Sequence, residues 1–117
     1  MIPPSAAFNI ALSSATEDYA GLYELVWELN SRFPSESLAT KYEAAAGALN
    51  ALLRGRFITL YERDANQLSS NPAEIPEDKQ QEVLCNPVSW YPEYGGHEVL
   101  FAATEYGQAE YEKQTDA

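Results

Sequence analysis

The stretch Ala51-Leu52-Leu53-Arg54-Gly55-Arg56-Phe57-Ile58-Thr59-Leu60-Tyr61 decides how this chain is read. It joins an apolar helix end to a strand through Gly55, and glycine is the residue that most often stops a helix at C′. Phe57, Ile58, Thr59 and Tyr61 are aromatic or β-branched, which suits a half-buried pleated strand over 57–62. A second stretch, Val99-Leu100-Phe101-Ala102-Ala103-Thr104-Glu105-Tyr106-Gly107, answers it with an apolar strand over 98–103. That strand runs into Thr104, a capping residue for a short closing helix that carries Tyr106, Ala109 and Tyr111.

Working outward, the spacing of Leu38, Tyr42, Ala45, Leu49 and Leu52 predicts a helix over 35–54, with Ser35 or Ser37 as its cap. Ala44, Ala48 and Ala51, beside Gly47, give this helix a second smooth strip. Ahead of it, Tyr19, Leu22, Tyr23, Val26, Leu29 and Phe33 recur every three or four residues, and Leu25 and Trp27 widen the stripe. These residues predict one helix over 16–33, capped by Thr16 and stopped by Pro34. Residues 1–15 fit either a period-two strand through Phe8, Ile10 and Leu12 or a helix or arm packed on the domain. After the first strand, 64–73 reads as a polar loop. Residues 76–85 read as a short acidic helix with proline at its first position, and 90–96 as a turn-rich connection.

The whole chain, 117 residues with 45% apolar content, is expected to form a single α+β domain, helix-rich, with a small two- or three-stranded antiparallel sheet. Residues 112–117 are expected to fray. Eighteen carboxylates against seven Lys and Arg give a formal charge of −11. That balance disfavours a phosphate backbone as partner, because such affinity comes from Lys and Arg displacing counterions. A basic protein partner is easier to reconcile with it, and self-association stays open. The single cysteine, Cys85, fits a reducing compartment, so a cytoplasmic location is expected. No stretch has the length of a membrane span, and no signal peptide is recognisable at the start.

Leu52, Leu53, Gly55, Phe57 and Ile58, followed by Thr104, Gly107 and Tyr111, resemble the wing half of winged-helix proteins. The resemblance covers at most half of the chain and implies a winged-helix-like scaffold, with small acidic proteins of unknown function as the nearest group. A DNA-reading winged helix also needs two helices separated by a turn before the wing, the second lying in the major groove. The interval from Pro34 to Gly55 has room for one, and Lys41 and Arg54 are its only bases.

Candidate residues fall into three groups. Trp90, Tyr91 and Tyr94 flank Pro92, Gly95 and Gly96 and form the best candidate interaction surface, since loop aromatics are enriched at binding hot spots. Against this stands the alternative that Trp90 plugs the core. Arg54, Arg56 and Arg63 bracket the first strand and are the candidate nucleic-acid contacts; the plainer reading is that they neutralise carboxylates such as Glu62. Cys85 and His97 are the only soft ligands. They lack the further ligands a zinc site needs, and Cys85 is expected to be a buried structural thiol. No phosphate-binding loop, nucleophile elbow or zinc-protease motif occurs, and no cofactor is implied. The expected function is a non-enzymatic interaction or regulatory module. The alternatives are a degenerate winged-helix DNA-binding regulator and a small enzyme using Cys85 or carboxylates.

Overall fold

The computed structural model describes residues 1–64, 71–90 and 97–115. Helix α1 (Pro4–Glu17) leads through strand β1 (Ala20–Gly21) into α2 (Leu22–Arg32) and α3 (Leu38–Arg54). Strands β2 (Ile58–Asp64) and β3 (Ala73–Glu74) follow, then a 3-10 turn (Glu77–Lys79), α4 (Gln80–Cys85) and a second 3-10 turn (Pro87–Trp90). Strand β4 (His97–Ala103) and helix α5 (Glu105–Thr115) complete the described fold. The α+β class is as expected, but the sheet has four antiparallel strands in the order β1-β4-β2-β3.

The two extra strands are two residues each, too short to show a period-two pattern. Their appearance also corrects the helix over 16–33. Asp18 closes α1 in an extended conformation, β1 pairs Ala20 with Phe101 and Gly21 with Leu100, and α2 begins only at Leu22. Thr16 lies in the last turn of α1, where its Oγ1 donates to the Ser13 carbonyl at 2.8 Å. The start of α2 is met by Glu24, whose Oε1 accepts the Gly21 N–H at 3.2 Å. Within residues 1–15 the chain is helical from Pro4 onward: Ala7, Ala11, Leu12 and Ala15 are the buried positions, a helical spacing.

Helix α3 matches its expectation closely. Ser37 Oγ accepts the Thr40 N–H at 3.1 Å as the N-cap. At the other end, Arg56 N donates to Leu53 O at 3.1 Å and Phe57 N to Leu52 O at 2.9 Å, the paired bonds of a Schellman motif. Gly55, however, is the C-cap and stays right-handed at φ −80°, while Arg56 takes the left-handed conformation at φ 62°. Gly55 is needed for space rather than handedness, because a Cβ there would stand 2.3 Å from the Phe57 ring.

One face of the sheet carries Ile58, Leu60, Val99 and Phe101 into the main core, against Leu12, Leu25, Leu29, Leu49 and Leu52 of α1–α3. Phe101 and these leucines are all under 2% exposed. Burying each such side chain is worth about 2 kcal/mol. Lys41 is also buried, and its Nζ donates to Asn30 Oδ1, tying α3 to α2. The two opening stretches meet at Thr104, whose N–H donates to Phe57 O at 2.9 Å. Its Oγ1 donates to Arg56 O at 2.7 Å and accepts from Gly107 N at 3.0 Å. Thr104 is thus the cap expected for α5, and it also clamps the α3–β2 junction.

Candidate interaction surface

Because side chains alternate along a strand, the register places Thr59, Tyr61 and Arg63 of β2 and Glu98, Leu100 and Ala102 of β4 on the face opposite the main core. Leu100, 1% exposed, is set apart from the main core cluster. The aromatics on this side come in two edge-on pairs. Tyr19 meets Tyr61 at a centroid distance of 5.0 Å and 83°, and Tyr23 meets Trp27 at 5.0 Å and 78°. Trp27 remains 67% exposed and Tyr19 43% exposed. Large aromatics held at this exposure are the kind of residue on which interfaces are built.

A charged cluster anchors the surface to the sheet. Arg63 and Glu98 are directly opposed in register, and Arg63 Nη2 and Nε reach Glu98 Oε2 at 2.7 and 3.2 Å. The other oxygen of Glu98, Oε1, accepts the Tyr23 hydroxyl at 3.4 Å. Both carboxylate oxygens are therefore used, which compensates the burial of Glu98. Burial, followed by the negative charges of Glu24 and Glu98, pushes the Tyr23 phenol up to about 12. Tyr61 is pushed upward as well, by burial first and then by Tyr19 and Glu74. Beside Tyr19 opens a cleft of about 280 Å³ lined by Glu17, Asp18, Glu24 and Glu28.

The residues expected to form a surface are placed differently. Trp90 is 6% exposed. Its Nε1 donates to Leu84 O at 3.1 Å, and its ring meets Tyr42 edge-on at 5.7 Å. It is a core residue, because its one polar atom finds a partner inside. Tyr91 and Tyr94 lie outside the described residues, as does the His97 side chain. The three arginines are not brought together: Arg63 is held by Glu98, Arg56 lines a cleft of about 420 Å³ beside β3, and Arg54 lines a groove of about 520 Å³ between α1 and α3. The partner of Arg63 is Glu98 across the strand rather than its neighbour Glu62. Cys85 is exposed, which corrects the expectation of a buried thiol. It falls at the last residue of a six-residue helix whose inward position is taken by Leu84.

Tyr19, Tyr23 and Trp27 escaped the sequence reading because their spacing merged with the core stripe of α2. In the sequence they are flanked by Glu17, Asp18, Glu24 and Glu28, but an amphipathic helix ordinarily carries charges beside its core stripe, so no local signal separates them.

Among the described residues no three His, Cys, Asp or Glu side chains converge as metal ligands, and no helix is long and apolar enough to cross a membrane. No family model matches the sequence, and no curated protein or solved structure matches it either.

Proposed function

We propose that this domain is a non-enzymatic protein-interaction module that binds a basic protein segment through Tyr19, Tyr23, Trp27 and Tyr61. The observation that carries this reading is the exposure of Trp27, 67%, while its ring is held edge-on by Tyr23. A held aromatic loses little side-chain freedom on binding. The carboxylates of Glu17, Asp18, Glu24 and Glu28, which line a cleft with Tyr19, favour a partner rich in Lys or Arg, whose cations can also lie over the aromatic faces. Affinity capture from native cells with the wild-type chain and with Trp27→Ala tests it. A partner held by the wild type and lost with Trp27→Ala, its contact mapping to a Lys/Arg-rich segment, is the expected result. Identical captures with both chains overturn it.

A second reading, a winged-helix DNA-binding regulator, is favoured by the element order. Two helices, α2 and α3, are joined by a turn and followed by β2 and β4, with β1 pairing on β4. The exposed positions of α3 weigh against it: Leu38, Ala39, Glu43 and Gly47 precede Arg54, the only base among them. A duplex-DNA titration at two salt concentrations separates the readings. Steeply salt-dependent affinity tighter than about micromolar selects the regulator.

A further inference from the structure

Strand β3 covers the outer edge of β2 over two residues only, pairing Glu74 with Tyr61 and Ala73 with Glu62. The Ile75 N–H still donates to Leu60 O at 2.8 Å, and at Pro76 the chain turns into the 3-10 segment. In an antiparallel ladder the main-chain groups of alternate residues point to the same side. Leu60 directs its carbonyl toward β3, so Ile58 directs its N–H and C=O that way too. Phe57 faces the other side, where its carbonyl accepts Thr104 N. No residue of β3 pairs with Ile58. What lies there is the cleft of about 420 Å³, lined by Leu53, Arg56, Ile58, Glu74, Ile75 and Pro76 among others.

Arg56 brings a cation to this cleft. It is exposed, and no ion pair among the described residues involves it. Its backbone is held from both sides. The Arg56 N–H donates to Leu53 O at 3.1 Å, and its carbonyl accepts Thr104 Oγ1 at 2.7 Å. The guanidinium therefore extends from a fixed root beside the β2 edge that β3 leaves unpaired at Ile58, itself 3% exposed, and beside Leu53, Ile75 and Pro76.

We propose that this cleft binds the carboxyl terminus of an extended peptide. The peptide adds to the edge of β2, exchanging main-chain hydrogen bonds with Ile58, and its terminal carboxylate meets the Arg56 guanidinium. A charge-assisted bond of this kind is about twice as strong as a neutral one and so fixes the register. An apolar side chain of the peptide rests on Leu53 and Pro76, the accessible apolar lining of the cleft. Glu74 and Glu77, which also line the cleft, repel acidic side chains elsewhere in the peptide.

The test titrates two probes into the isotope-labelled full chain and follows amide resonances: acetyl-Ala-Val-Ala-Val with a free carboxylate, and the same peptide as its C-terminal amide. The acid is expected to shift the Ile58, Thr59 and Ile75 amides and to bind about tenfold tighter than the amide. Arg56→Gln is expected to bring the acid down to the affinity of the amide, whereas Trp27→Ala leaves both unchanged. That last arm keeps this site separate from the aromatic surface. Absence of a shift at Ile58, or equal affinity for acid and amide, overturns the proposal. Tighter binding of acetyl-Ala-Val-Ala-Lys amide also overturns it, because recognition would then rest on Glu74 and Glu77.

Discussion

Gly107 lies against the backbone carbonyl of Phe57, so close that a Cβ at position 107 would stand 1.8 Å from the oxygen. The contact comes from the Thr104 clamp, which draws the first turn of α5 onto the α3–β2 junction. A backbone atom cannot rotate aside as a side chain can. Gly107→Ala is therefore expected to lower stability by about 3 kcal/mol, at the upper end of overpacking effects. Gly47→Ala is the matched control: nothing lies within 4 Å of its Cβ position, so the helix gains about 0.5–1 kcal/mol. Urea unfolding of the two variants measures both.

Arg56 is the one non-glycine residue with positive φ among the described residues. A side chain in that conformation costs roughly 1–2 kcal/mol. Part of the relief that glycine brings is offset by its freedom in the unfolded chain. Arg56→Gly is expected to raise stability by about 0.5–1 kcal/mol, and Arg56→Val to lower it, because a β-branched residue tolerates positive φ poorly. Thermal unfolding midpoints give the order Gly above Arg above Val.

Alkaline pH is expected to unfold the protein earlier than chain charge alone would. Tyr23 is raised from 10.0 to about 12, so the folded state holds the phenolic proton more tightly than the unfolded state does. Its contribution to stability is complete below pH 10 and is lost as pH climbs toward 12. Denaturant midpoints across that window should fall with pH for the wild type and fall less for Tyr23→Phe. The remaining slope includes Tyr61, which is raised in the same direction. An equal slope in Tyr23→Phe would exclude this account.

The two tryptophans are expected to report separately. Trp27 is 67% exposed and Trp90 6% exposed. In Trp90→Phe the surviving emission should be red-shifted and readily quenched by acrylamide. In Trp27→Phe it should be blue-shifted and protected, as befits an indole bonded to Leu84 O. Trp27→Phe should also leave the unfolding free energy within about 0.5 kcal/mol of the wild type, as for surface substitutions generally.

Helix α3 and the strands on either side of Thr104 were legible in the sequence because their signals are local: Ser37, Gly55, a seam of leucines, and β-branched runs. The break at 18–21 was not. Tyr19 and Tyr23 continue the helical spacing into Val26, yet they serve the sheet face, so one periodicity covered residues with two destinations. β1 and β3 are held by pairing with partners far along the chain, Phe101 for Ala20 and Tyr61 for Glu74, which no window of sequence contains. Trp90 was open between core and surface until Leu84 supplied an acceptor for its Nε1. The exposed aromatic surface was hidden for the same reason as the break, since Trp27 sits at a spacing that widens the apolar stripe.

The position of β4 in the sheet also governs when the protein can fold. β4 lies between β1 and β2, though it is the last of the four strands to be synthesised. β1 and β2 are not neighbours in the sheet, so neither has a strand to pair with on its β4 side until residues 97–103 are made. Helices α1, α2 and α3 can come together beforehand, because all three end by Arg54. The β1-β4-β2 part of the sheet can therefore close only once β4 is available. Until it closes, the main-chain edge of β2 that faces β4 stays unpaired, and a ribosome-bound chain at that stage is open to capture by chaperones or by its own copies.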